Sequence, residues 1–92
     1  MAKASFDTVW LRIVNSEGAT FHTKNNLVFQ FEIKNDAFVS SRVPSRKILK
    51  KKFEKAYNMV PIDGPGRINN LIQGPAYVWA VLHDRRISMD EW

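Results

Sequence analysis

The sequence predicts a single small α+β domain, a three-stranded antiparallel sheet packed against three to four short helices. Three observations lead there. In residues 27–34, Leu27, Phe29, Phe31 and Ile33 alternate with Val28, Gln30, Glu32 and Lys34, the period of a strand with one buried face. Residues 46–60 divide into an apolar and a basic half when wound at about 100° per residue, the period of a helix. A chain of 92 residues, 45% apolar and 25% charged, can bury one core but not two, and it contains no repeat or linker.

The first 41 residues supply an N-terminal helix and the sheet. Phe6, Val9, Trp10 and Ile13 follow the i, i+3, i+4, i+7 spacing of one helix face, with Ser5 or Asp7 to cap the start and Gly18 to suit the exit. Residues 19–23 read as a strand that turns at Lys24-Asn25-Asn26 and pairs with residues 27–34, because asparagine tolerates the positive φ of tight turns. Asn35-Asp36 offers a second turn, and residues 37–41 a third strand. A hairpin plus one further strand makes a meander.

Residues 42–88 read as the helical half. Pro44 and Ser45 mark the start of a helix over residues 46–60, whose apolar half holds Ile48, Leu49, Phe53, Ala56, Tyr57, Met59 and Val60. Lys52 is the one cation that intrudes on that half. Pro61 ends the helix, and Asp63-Gly64-Pro65-Gly66 forms a turn cluster. A short helix is expected over residues 67–73, and another beginning at Pro75, where a proline's missing N–H costs nothing. Residues 76–82 are apolar all round, which predicts a central, buried helix with Trp79 inside. Arg85 and Arg86 suit the negative pole at its end, whereas Asp84 does not. Residues 89–92 are expected to form a loose tail. The predicted core is Trp10, Ile13, Phe21, Leu27, Phe29, Phe31, Ile33, Ile48, Leu49, Phe53, Tyr57, Leu71, Ile72, Val78, Trp79 and Leu82.

Several chemistries find no support. Without cysteine there is no disulfide framework, thiolate site or sulfur nucleophile. His22 and His83 are far apart and neither has a second ligand at helical spacing, so no zinc site is expected. The glycines of residues 63–67 lack the phosphate-loop pattern, and their prolines remove backbone donors. No serine sits in a Gly-x-Ser-x-Gly elbow. The expectation is a protein without catalysis, metal or cofactor. The longest apolar run, residues 76–82, falls far short of the ~20 needed to span a bilayer. The N-terminal stretch has no apolar signal core, so a cytoplasmic location and no membrane partner are expected.

Charge is the distinctive feature. The net charge is +5, and residues 42–55 carry seven basic side chains against one acid, Glu54. The rest of the chain is nearly balanced, so the excess belongs to this segment. Clustering of this kind is the footprint of a site for a polyanion. The expected binding residues are Arg42, Arg46, Lys47, Lys50, Lys51 and Lys55, reaching the backbone phosphates of nucleic acid, duplex DNA ahead of RNA. Arg67, Arg85 and Arg86, with Asn69 and Asn70, are candidates at the ends of the later helices. Those helices do not read as a helix-turn-helix, because residues 76–82 offer few polar side chains to read base edges. The phenylalanines 21, 29, 31 and 38 are read as core, since the apolar helix faces need a partner. The alternative function is a protein-interaction module whose basic face docks an acidic partner or a second copy. That reading requires an apolar patch left exposed beside the lysines.

Overall fold

The computed structural model describes residues 3–92; the first two residues of the N-terminal stretch lie outside the described residues. The architecture is α+β, with one core, four helices, a 3₁₀ turn and five short strands in two antiparallel sheets.

Helix α1 spans Phe6–Asn15 and buries Val9, Trp10 and Ile13, the face that the spacing predicts. Ser5 caps it, its hydroxyl accepting the Thr8 N–H at 3.3 Å. Gly18 follows at φ +85°, turning the chain into the sheets. Strands β1 (Phe21–His22) and β2 (Val28–Phe29) form a hairpin in which Phe21 faces Phe29. Asn26 takes the positive φ that its turn requires.

β3 (Phe31–Lys34) and β4 (Ala37–Ser40) pair through the Asn35-Asp36 turn, where both residues have positive φ. The period-two stretch is therefore two strands broken at Gln30. Its N–H donates to the Ser41 hydroxyl at 3.0 Å, and its carbonyl accepts the Ser41 N–H at 2.8 Å. Phe29 and Phe31 remain on one face across the break, and Phe21, Phe29, Phe31 and Phe38 are all fully buried. They form a chain of ring contacts, with centroids 6.0, 5.3 and 4.7 Å apart from Phe29 through Phe21 and Phe31 to Phe38.

The largest departure from the sequence reading lies in residues 46–60. Lys47–Leu49 form a strand, β5, paired antiparallel with β4 so that Ile48 faces Phe38. Helix α2 begins only at Lys50 and ends at Tyr57. The physical reason is pairing. β4 has a free edge, and a strand satisfies it while still burying Ile48 and exposing Lys47 and Leu49. Phe53, Ala56 and Tyr57 form the buried face of α2. Val60 lies outside it, because a residue preceding proline is pushed out of the helical region.

The helix expected over residues 67–73 is instead a 3₁₀ turn, Pro65–Ile68, followed by irregular chain. Ile68 and Ile72 are buried, but Leu71 is exposed. Helix α3 (Pro75–Leu82) packs against α2, the 3₁₀ turn, β1 and the final helix, α4 (Arg85–Ser88). Val78, Ala80, Val81 and Leu82 are buried; Trp79 is only half-buried, so the expectation of full burial fails for its largest side chain. Asp84, a misfit at the end of α3, is the N-cap of α4, where it accepts the Arg86 N–H at 2.9 Å.

The last residues are held down. Arg12 reaches Glu91 with both terminal guanidinium nitrogens, at 3.2 and 2.7 Å, and also donates to the Ile87 carbonyl at 2.9 Å. The same carboxylate accepts the Ala4 N–H at 2.8 Å. The Trp92 indole donates to the Leu82 carbonyl at 2.9 Å, and its ring meets that of Tyr57, whose hydroxyl bonds to the Ala4 carbonyl. A loose tail is therefore not what the structure has.

Leu27, Leu49 and Leu71 also leave the predicted core, each nearly half exposed. Leu27 precedes the short β2, Leu49 shares the outward parity of Lys47, and Leu71 sits in irregular chain. Val9, Ala37, Ala56, Ile62, Ile68, Ala80, Val81 and Ile87 enter the core in addition to the predicted residues and Phe38.

Candidate functional site

Ion pairing sorts the basic residues. Arg12, Lys34, Lys50, Arg67, Arg85 and Arg86 pair with acids. Among the described residues, eight of the fourteen bases have no acidic partner, and six of those eight lie in residues 42–55: Arg42, Arg46, Lys47, Lys51, Lys52 and Lys55. Folding thus pairs most of the other bases with acids and leaves all of this segment's bases but Lys50 without an acidic partner.

Three elements present it. Arg42 and Arg46 emerge exposed from the loop between β4 and β5, and Arg42 leans back to the Val28 carbonyl at 3.4 Å. Lys47 projects from β5. Lys51 and Lys55, one turn apart, are exposed on the side of α2 away from Phe53, Ala56 and Tyr57. Lys50 points elsewhere. Its ammonium lies 3.9 Å from Asp7 and 5.9 Å from the centroid of the Trp10 ring, against α1.

Lys52, which intrudes on the apolar half of the wheel, is half-buried beside Lys47 in a groove of about 320 Å³. The facing wall is irregular chain, residues 69–73, bearing Asn69, Asn70 and Gln73. Asn69 and Asn70 were legible as candidates; Lys52 and Gln73 were not, although the misfit of Lys52 on the wheel was a usable signal. Gly74 follows this wall in the chain at φ +70°, and a Cβ there would lie 3.0 Å from Ile48 Cδ1. The absence of a side chain lets this wall approach β5 closely.

The two outer edges of the three-stranded sheet differ. That of β3 is covered: Gly18 donates to the Phe31 carbonyl at 3.0 Å, and the Glu17 carboxylate accepts the Ile33 N–H at 2.8 Å. Among the described residues, β5 pairs with no strand on its outer side, which borders the groove.

The remaining predicted bases are engaged away from this segment. Arg67 pairs with Asp63 at 3.3 Å and Arg85 with Asp90 at 3.2 Å, all four side chains being exposed. Arg86 is built into the structure. It bonds Asp84 at 2.8 Å and the Thr20 carbonyl at 2.7 Å, and lies 4.0 Å above the Phe21 ring. The Arg86 hydrogen bond holds the Asp84 carboxyl below its ordinary pKa, and the same contact raises that of Arg86.

His22 is exposed, whereas His83 is half-buried, stacked on Trp79 with ring centroids 5.3 Å apart, its pKa lowered by burial. Among the described residues no three His, Asp or Glu side chains come together as a metal site. No described helix is long and apolar enough to cross a membrane. The chain matches no protein family, and neither a curated protein nor a solved structure is similar to it.

Proposed function

We propose that the protein is a non-enzymatic nucleic-acid-binding module, DNA ahead of RNA, that grips backbone phosphates with Arg42, Arg46, Lys47, Lys51, Lys52 and Lys55. The observation that carries this reading is the concentration of unpaired cations in one segment, while most bases elsewhere have acidic partners. Six uncompensated charges cost self-repulsion in a small domain, and a polyanion relieves it by releasing counterions. Lys50 leaves the set expected from sequence, because Asp7 and Trp10 hold it, and Lys52 enters.

The test is the salt dependence of binding to duplex DNA of unrelated sequences. Four to six neutralised phosphates give a slope of log K against log salt between about −3.6 and about −5.4. Lys51→Glu with Lys55→Glu should weaken binding alike for every sequence, since phosphate contacts carry no base information. A slope near zero, or no association with any nucleic acid at about 50 mM salt, sinks the proposal.

A second reading has one observation in its favour. Leu49 and Leu71 are each 46% exposed in the same groove as Lys47 and Lys52. Apolar surface beside cations is what an acidic protein partner would require. Binding of an acidic polypeptide, with none to nucleic acid, would favour that reading.

A further inference from the structure

The groove between β5 and residues 69–73 has a composition that phosphate contacts alone do not explain. Lys47 and Lys52 stand on one wall, and Asn69, Asn70 and Gln73 on the other. Among the described residues, none of the five side chains bonds to another protein group, so their polar atoms are available. Resting on the nucleic-acid reading, we propose that this groove receives one unpaired nucleotide, so that the protein holds single strands in preference to duplex.

The chemistry runs from the side chains outward. Each carboxamide carries a donor and an acceptor on one plane, the arrangement that matches the edge of a base. A backbone phosphate offers acceptors only and has no use for the acceptor half of an amide. Three amides opposite two ammoniums therefore fit a group that is both a hydrogen-bonding heterocycle and an anion. Leu49 and Leu71 supply exposed apolar surface for the face of the base or its sugar. At about 320 Å³ the groove lies at the small end of ligand sites, the scale of one nucleotide and not of a helix of nucleic acid.

Duplex bases are paired and stacked, so their Watson–Crick edges reach such a groove only after unpairing. A single strand splays its bases without that cost. Arg46, Lys51 and Lys55, exposed on the same basic segment, remain for further phosphates, which set affinity without selecting strandedness.

Anisotropy titrations with a labelled single-stranded DNA of about twelve nucleotides, its RNA counterpart and the matching duplex, at about 100 mM salt, provide the test. The expected result is tighter binding of one or both single strands than of duplex by roughly tenfold, the factor one well-made base-edge pair supplies. Asn70→Ala with Gln73→Ala should erase that preference and leave duplex affinity within about twofold, as these side chains meet no phosphate. Lys52→Gln, which keeps a polar side chain one atom shorter and removes its charge, should weaken single strands more than duplex. Equal binding of single strand and duplex by the unaltered protein overturns the groove assignment while the phosphate reading stands. Loss of preference in Lys51→Glu with Lys55→Glu, but not in the amide variants, also overturns it. No binding to any nucleic acid, with groove-dependent binding of a poly-glutamate peptide, overturns both.

Discussion

His83 accepts, through Nε2, a hydrogen bond of 3.1 Å from the main-chain N–H of Ile62. One turn earlier on α3, the Trp79 indole N–H donates to the carbonyl of the same Ile62 at 2.8 Å. Both polar groups of a buried residue in irregular chain are thus satisfied by two stacked side chains, one on α3 and one at its C-cap. This clamp explains why Trp79 and His83 sit at the margin of the core rather than inside it.

The clamp makes stability pH-dependent. Accepting the Ile62 N–H requires a neutral imidazole with its proton on Nδ1. Burial lowers the folded pKa of His83 below its unfolded value of about 6.5, so the unfolded chain takes up the proton first. Stability is full above about pH 6.5 and declines as pH falls through that value toward the folded pKa. Urea melts of the parent and of His83→Phe at about pH 7.5 and about pH 5.5 should show a smaller loss in the variant.

Trp79→Phe keeps the stacking surface and removes the indole donor. The Ile62 carbonyl is then left unpaired, at a cost of about 1–3 kcal/mol in denaturant melts. Combined with His83→Phe the loss should be non-additive, because the two side chains share one partner.

Gly74→Ala tests the junction between α3 and β5. The residue is left-handed, and its new Cβ would press on Ile48, so a loss of about 1–2 kcal/mol is expected from the backbone alone. Leu49→Ser and Leu71→Ser, by contrast, should change stability by less than about 0.5 kcal/mol, since both side chains are nearly half exposed.

Arg12→Lys separates a shaped contact from a charge. Lysine cannot reproduce the fork onto Glu91, whose pKa is lowered by its hydrogen bond from Arg12 and then by the Ala4 N–H. The variant should melt at lower temperature, with faster exchange of the Trp92 indole N–H. Arg67→Lys, at an exposed pair, should do neither. Glu91 contributes stability above its unfolded pKa, lost as pH falls toward the lower folded value.

Local signals were legible wherever one element decided the outcome. The Ser5 cap, the face of α1, the two asparagine-bearing turns and the inward phenylalanines follow from spacing and side-chain chemistry alone. Residues 47–49 were not legible as a strand, because Lys47-Ile48-Leu49 fits a wheel as well as a pleat. The decision belongs to the free edge of β4, a tertiary fact. Asp84 was read as a poor helix end because α4 is one turn long and leaves almost no periodic trace. For the site, the basic segment could be counted from the sequence. Which cations remain unpaired could not, since Asp7, the partner of Lys50, is 43 positions away along the chain.

Lys50 follows Leu49 with no residue between strand and helix, and its N–H donates to the Asp36 carbonyl at 3.0 Å. β5 and α2 therefore meet without a linker, and the junction is tied to the β3–β4 turn by this hydrogen bond. A ligand that touches both would meet two elements with no loop between them to be ordered. Encounter is then governed by diffusion and electrostatic steering, and differences in affinity between ligands should be found in how slowly they leave.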